Sequence, residues 1–450
     1  MNNFVPERRE SFRVGAVLPI EVPFINALGE TVDISEKGAS LKFKQPLASD
    51  PVSILLNSTT SMLLNIKTQV IRKQALENGV YCAVRFLDFS ESDRNILRDG
   101  LSRYKLIDSD FVNLIVDIRH FLQETKLGFD IFDSKNIDGT QYIGFIKNNK
   151  KEIFSRLNKY FNKIGEITKD LDKKSYDIYQ HYFYQALEPL LGRGMEINTH
   201  IHQKPLGYPG DYEVQNYILD YYSDRYLGKT SYQKLINCYT CNIPISKSNV
   251  KRKDFFKVKI LDTLKGKEKA RILSVGSGPL RELIELTEEG LIDRPLLFKC
   301  VDFEERTLRY IKDKLQEVAD EKKKFLKMDY IHKSVPRLIR NGAFKEWAGK
   351  QDLVYSSGLF DYFTDRLASI FVRRLFSLLG PGGVLIVCNA SLKDTSVRPY
   401  YEMLGDWVFY HRTKEELLEW AKDIRTLHEI KFEGPPDGKC YLYMHLTRKR

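Results

Sequence analysis

Residues 270–283, ARILSVGSGPLREL, read as an apolar strand that runs into a glycine turn and then a helix. Gly276 and Gly278 lack a Cβ, so the turn lets backbone approach a bound cofactor where a helix begins. A glycine pair says little alone, so the surrounding chain must agree with it. LLFKCVD (296–302) is a second strand and ends in Asp302; FLKMD (325–329) is a third and ends in Asp329. DLVYSSGLFDYF (352–363) is a fourth, running into a Ser–Gly turn that begins at Ser356. SLLGPGGVLIVCNAS (377–391) reads as a helix end, a turn and a fifth strand, and HEIKF with KCYLYMHL as an antiparallel hairpin at the sheet edge. Strands that alternate with helices in this way form a parallel α/β sheet.

This succession, over roughly 268–450, resembles the class I S-adenosylmethionine-dependent methyltransferases. The resemblance implies that Gly276, Gly278 and Ser356 line the cofactor, that Asp302 bonds the ribose hydroxyls, and that Asp329 receives the adenine amino group. A nicotinamide-binding Rossmann domain also needs glycines and a later acid. Here, however, the third glycine of that pattern is absent, GSGPL being followed by Arg281, and LLGPGGVLIV followed by a terminal hairpin is a methyltransferase feature. One departure is Ser274, which replaces the usual acid two residues before the first glycine; Glu282 is the candidate to meet the methionine amino group instead.

GSGPLRE, SSGLFDYFTDR, LLGPGG, DWVFYHRT and the upstream KPLGYPGDYE together look like the bacterial 3-hydroxypalmitic acid methyl ester biosynthesis methyltransferases, over about 140–450. That similarity implies O-methylation of a fatty-acid-like carboxylate. Such a group is already ionised near neutral pH, so the enzyme mainly has to align it with the methyl sulfonium and exclude water. KPLGYPGDYE (204–213) then serves as a lid, with Tyr208, Asp211 and Tyr212 facing inward. Asp361, Tyr362, Asn389, Tyr410 and Arg412 are candidates for the substrate mouth. Arg412 is either a carboxylate anchor or a surface arginine beside the helix cap of Thr413.

The first 105 residues have a different grammar. VGAVLPIEVPFI, GASLKFK, VSILLN, MLLNIKTQVIRK and VYCAVRFLD are short β-branched and aromatic runs between turn residues, the pattern of a small antiparallel barrel. ERRESFRV holds Arg8, Arg9 and Arg13, an RxxxR spacing, and DISEKGAS holds Asp33, Ser35 and Gly38, a DxSxxG spacing. RRESFR alone is a solvated basic terminus, and DxSxxG alone is any polar turn. Together, in this order, they resemble the PilZ family of six-stranded barrels that bind cyclic di-GMP. Arginine forks can grip guanine or phosphate bidentately. In the binding this implies, Asp33 accepts from guanine, Ser35 bonds phosphate or guanine, and Gly38 permits a tight turn beside the ligand.

Between the two patterns, apolar residues recur at helical spacing, as in Ile153, Leu157, Tyr160, Phe161, Ile164, Ile167 and Leu171. The expected organisation is therefore multidomain: a PilZ-like barrel at 1–105, a helical linker and lid segment at 106–265, and a Rossmann-like class I methyltransferase domain at 266–450. The formal charge of +11 allows attraction to polyanions, but no basic–aromatic alternation of the RNA-binding kind accompanies it, and DNA is not an expected partner. Six scattered cysteines, no long apolar run and no apolar stretch in MNNFVPERRESFRV lead to the expectation of a reduced, cytoplasmic protein. Cys238 and Cys241 with His200 and His202 could make a zinc site, but no second cysteine pair supports one, and no metal is expected. The expected ligands are S-adenosylmethionine, cyclic di-GMP and a small fatty-acid-like acceptor. Two other readings stay open: a cyclic di-GMP receptor whose methyltransferase fold is an interaction module, and methylation of protein or RNA.

Overall fold

Six antiparallel strands begin the computed structural model: β1 (Pro19–Val22), β2 (Ala27–Ser35), β3 (Gly38–Phe43), β4 (Ser53–Asn57), β5 (Leu63–Leu76) and β6 (Gly79–Leu87). It describes residues 19–450 except 23–26, 36, 44–46, 48, 52, 58–62, 77–78, 105, 136–138, 341, 425–426 and 437. The strands run β1-β2-β3-β6-β5-β4 and close where β1 meets β4. That last seam is short, with only Ile20↔Leu56 and Glu21↔Leu55 paired. Alternating residues of β3, β4 and β6 (Ala39, Leu41, Phe43, Ile54, Leu56, Val80, Cys82, Val84) fill the interior, as the period of a strand requires. The expected strands are present, and β2, whose ALGETVDIS is polar and glycine-containing, is an additional one that the β-propensity pattern did not single out.

Four helices follow: α1 (Glu91–Tyr104), α2 (Ser109–Asp133), α3 (Gly139–Thr168) and α4 (Lys173–Leu191). The helical spacing noted in sequence buries Leu157, Phe161 and Ile164 completely on α3. Asp172 caps α4 by accepting from the Ser175 N–H at 2.9 Å. Arg119 of α2 donates to the Gly29 carbonyl of β2 at 2.9 Å, which ties the helices to the barrel. Barrel and helices accordingly form one compact unit, Met1–Gly194 with Thr230–Tyr232; Met195–Lys229 and Gln233–Arg450 form another. The segment expected as a linker at 106–265 is thus divided, one part packing with the barrel and the other with the α/β sheet.

In the second unit, α5 (Glu196–Gln203), α6 (Tyr212–Asp220), α7 (Ser231–Asn242, from Gln233 onward) and α8 (Pro244–Leu264) precede a seven-stranded sheet. Its strands are β7 (Ala270–Val275), β8 (Leu296–Asp302), β9 (Leu326–His332), β10 (Gln351–Ser356), β11 (Leu379–Ala390), β12 (Leu427–Phe432) and β13 (Tyr441–Arg448). The order is β12-β13-β11-β10-β7-β8-β9. Strands β7 to β11 are parallel, and β13 enters antiparallel between β11 and β12. The chain leaves β7 toward β8 and β9, then returns to its other side with β10. That reversal opens a crevice at the carboxyl ends of β7 and β10, where α/β sheets bind ligands. No helix among the described residues is long and apolar enough to cross a membrane.

Candidate functional site

The crevice holds a cavity of about 380 Å³ in the second unit. One wall is the turn between β7 and α9 (Arg281–Glu288), where Gly276, Gly278 and Leu280 have φ of 65°, 54° and 49°. A Cβ on Gly276 would meet Leu359 at 3.1 Å, whereas one on Gly278 would meet nothing within 4 Å, because Gly278 opens on the cavity. Leu280, fully buried, takes the left-handed conformation that a glycine would take without strain.

Asp302 ends β8, and its carboxylate accepts from the Gly278 N–H at 3.2 Å and the Glu304 N–H at 3.0 Å. Burial pushes this carboxyl up to about 6, although the N–H groups of Glu304, Gly278 and Phe303 pull the other way. Ser274 is buried on β7 beside Tyr355 of β10, and the Tyr355 hydroxyl donates to Glu282 at 2.6 Å. Glu282, not Ser274, reaches the cavity, and burial raises its pKa. Asp361 follows β10 and accepts from the Ala390 N–H at 2.5 Å. Burial lifts it to about 6 against the nearby Arg252, the Ala390 N–H and Arg412. The buried Ser356 Oγ has no hydrogen-bond partner among the described residues, and the next residue, Ser357, lines the cavity.

Tyr208, Gly210 and Tyr212 of the segment 204–213 line this space. Tyr208 lies 5.1 Å from the Phe303 ring, centroid to centroid, and Tyr212 lies 5.0 Å from Tyr310. Burial, reinforced by Asp302, raises the Tyr208 pKa, and burial moves Tyr212 up to about 12. Gly210 is pressed against Trp407: a Cβ there would stand 2.4 Å from the indole. Trp407 Nε1 donates to the Tyr362 hydroxyl at 2.7 Å, and Lys204 pairs with Asp406 at 2.6 Å. Asp211 does not face the cavity; fully buried, it caps α6 through the Val214 N–H at 3.0 Å and contacts His200 Nε2 at 2.7 Å. It holds the cover in place from behind.

The other part of the cover is α8, whose Asn249, Arg252, Lys253 and Phe256 all line the cavity. Their spacing of three and four puts them on one helix face. Arg252 is only 8% exposed. Its guanidinium lies 4.4 Å from the centre of the Tyr441 ring, and Nη1 has no hydrogen-bond partner among the described residues. Burial opposes its charge, but Tyr441, Tyr443, Cys388 and Asp361 hold its pKa above the ordinary value. Nothing singled Arg252 out in sequence: in SNVKRKDFF it reads as one cation among several on a solvated helix. The missing signal was the mixed stripe of Asn, Arg, Lys and Phe at helical spacing.

Four expected residues stand elsewhere. Arg412 is buried but saturated: it donates to Asp365 at 2.9 Å, to Asn389 Oδ1 at 2.8 Å and to the Phe360 and Phe363 carbonyls. It lies outside the cavity lining, as an internal brace and not as the open anchor expected. Asn389 is buried and donates to the Ala390 and Tyr410 carbonyls, and Tyr410 is half exposed. Asp329 is inside β9, not at its end; partly exposed, it pairs with Lys299 at 3.5 Å and is not among the residues that line the cavity. Cys238 and Cys241 are both buried on α7, with sulfur contacts to the Ser223 and Tyr217 carbonyls.

In the first unit, Arg8, Arg9 and Arg13 lie outside the described residues. Asp33 is in β2 opposite Ser40. Ser35 Oγ donates to the Gly38 carbonyl at 3.1 Å and accepts from the Lys37 N–H at 3.3 Å, bracing the β2–β3 hairpin. Gly38 is required there for a reason the motif did not suggest. A Cβ would fall 2.3 Å from the Val84 carbonyl of β6, so cross-strand approach demands glycine.

Residues 7–103 match the PilZ domain family. No curated protein matches the chain. Among solved structures, it is similar to a possible exported protein from Bordetella parapertussis, at 12% identity over 70% of this chain and 99% of that one, with a TM-score of 0.43. It is also similar to magnesium protoporphyrin IX methyltransferase from Synechocystis PCC 6803 with bound SAM, at 15% identity over 46% and 84%, TM-score 0.32. A third is a SAM-dependent methyltransferase from Methanosarcina mazei, at 14% over 42% and 96%, TM-score 0.31.

Proposed function

We propose that the protein is a cyclic di-GMP-responsive, S-adenosylmethionine-dependent methyltransferase that O-methylates the carboxylate of a fatty-acid-like small molecule. The observation that carries this reading is Gly278, open on the cavity and bonded through its N–H to the buried carboxylate of Asp302 at the sheet's reversal point. S-adenosylmethionine, when bound, supplies an electrophilic methyl group on a sulfonium. Asp302 then takes the ribose hydroxyls, Glu282 the methionine ammonium, and Tyr208 with Phe303 flank the base. Asp329, outside the cavity, is left out of this assignment. The cover of Tyr208, Gly210 and Trp407 excludes water, which orientation-based catalysis needs. Tyr362, Leu359, Trp407 and Phe409 make the remaining wall largely apolar, which favours an acyl chain. The PilZ match and the RxxxR and DxSxxG motifs support cyclic di-GMP as the regulator.

Calorimetric titration tests each half. The parent should bind S-adenosylhomocysteine; Gly278→Val should abolish binding and Asp302→Ala weaken it, while Asp33→Ala leaves it intact. A parent that binds neither cofactor nor product would return the fold to the interaction-module reading. Arg9→Ala or Arg13→Ala should cost about 1–3 kcal/mol of cyclic di-GMP affinity, and unchanged binding in both would remove the sensor site. Regulation predicts that saturating cyclic di-GMP changes substrate or cofactor affinity by roughly 5–150-fold, reciprocally. Identical values with and without the dinucleotide would leave a tethered, unregulated enzyme.

A further inference from the structure

We infer that Arg252 is the positioning residue for the methyl acceptor: it holds one oxygen of the acceptor's carboxylate in the cavity that both it and Asp302 line. This rests on the methyltransferase reading and deepens it by naming the group that selects the substrate.

A buried cation is costly unless something meets it. Arg252 is more than nine-tenths buried and is one of the residues lining the cavity, yet its buried Nη1 has no protein partner among the described residues. Its ring-facing side is occupied by Tyr441, at 4.4 Å, and the Gly358 backbone leaves it room: a Cβ there would stand 3.3 Å from Nη2. The Tyr441 hydroxyl is itself committed to Asn249 Oδ1 at 2.9 Å, so the platform under the guanidinium is held from α8 as well. Asp361, the nearest acid invoked by its electrostatics, already accepts the Ala390 N–H. What remains is a guanidinium without its full set of hydrogen bonds, on a residue that lines the cavity together with the largely apolar Tyr362, Trp407 and Phe409. An amphiphile with one carboxylate and an apolar tail matches that arrangement.

The geometry also fits the reaction. With one carboxylate oxygen held by Arg252, the other attacks the methyl carbon. A C–O bond forms, the S–CH₃ bond breaks, and its electron pair stays on sulfur as a neutral thioether. The carboxylate and sulfonium charges vanish together and no proton moves.

A carboxylate could come from either of two sources, the acceptor or the methionine end of the cofactor, and the test separates them. Full-length protein is titrated with S-adenosylhomocysteine, then, saturated with it, with decanoate and palmitate and with decanol and hexadecanol. The parent should prefer each acid to its alcohol. Arg252→Met should lower acid affinity by about 10- to 100-fold, the worth of a charge-assisted hydrogen bond, erase the preference, and leave S-adenosylhomocysteine affinity unchanged. Arg252→Lys, which keeps the charge without the fork, should fall between, and provides a second variant if the methionine form does not fold. Lys251→Met, on the exposed neighbour, should change nothing. If Arg252→Met instead weakens S-adenosylhomocysteine and spares the acid preference, the guanidinium serves the cofactor and the inference is overturned. A parent that binds S-adenosylhomocysteine but treats acids and alcohols alike overturns it too, with the methyltransferase reading intact. A parent that binds no S-adenosylhomocysteine removes the methyltransferase reading, and the inference with it.

Discussion

Arg252 on α8 and Arg412 beyond β11 are both buried, 8% and 3% exposed, and both have an aromatic ring under the guanidinium. They differ in what meets their N–H groups. Arg412 has a carboxylate, an amide oxygen and two backbone carbonyls, so its donors are used up inside the protein. Arg252 lines a cavity and keeps a buried donor with no partner among the described residues. Burial alone therefore does not mark a binding arginine. A saturated guanidinium braces loops, and an unsaturated one is available to a ligand.

The largest expected effect breaks or upholds this contrast directly. Arg412→Met should destabilise the protein by about 3–5 kcal/mol, because it strands buried acceptors that the guanidinium now satisfies. Arg252→Met should cost less, since the charge it removes is attracted by Asp361 but leaves no buried protein acceptor stranded without its donor. Urea unfolding of the two variants measures both, and equal losses would erase the distinction.

A somewhat smaller effect is carried by pH. The folded carboxyls of Asp302 and Asp361 are both raised, to about 6, from an ordinary value of 3.8. A raised folded pKa means that the unfolded chain gives up its proton first. The stabilising contribution is thus complete below about pH 3.8 and is lost as pH climbs through 6, by roughly 3 kcal/mol per group. Asp302→Asn should flatten the fall in stability across that window. Only Asp361 feels Arg252, so in Arg252→Met its fall should extend to higher pH while that of Asp302 stays where it was. Unfolding midpoints at several pH values in the parent and the two variants read this out.

The smallest effect concerns the chain next to Arg412. Thr413 and Glu416 form a reciprocal capping box, with the Thr413 N–H donating to Glu416 at 2.7 Å. Thr413→Ala should cost about 1 kcal/mol. Because the cap and the brace are consecutive residues, Thr413→Ala combined with Arg412→Met should be non-additive in a double-mutant cycle. Strict additivity would mean that the brace and the helix start are independent.

Much of the frame was legible in the chain. LLFKCVD is β8 as read, ESDRNILRDGLSRY is α1, and GSGPL is the turn whose glycines take positive φ. The Thr413 cap was legible for the same reason: each is a pattern of neighbours, set by backbone conformation and by side chains within a turn or two. Strand β2 escaped because its buried positions Gly29 and Thr31 are not large apolar residues and only Ile34 is, while Val32 is exposed, so no clean apolar alternation marks it.

The succession of elements, the order of barrel, helices and α/β sheet, and the place of the glycine turn and Asp302 can all be read along the chain. Folding alone settles which cation in SNVKRKDFF goes inside, that Arg412 is spent on Asp365 and Asn389, that Asp329 pairs with Lys299, and that Gly38 is needed against Val84. Periodicity is a short-range property, written in adjacent residues. The fate of a charge depends on desolvation and on partners brought in from distant elements, as Tyr441, Gly358 and Asp361 are brought to Arg252, and no local pattern records those meetings.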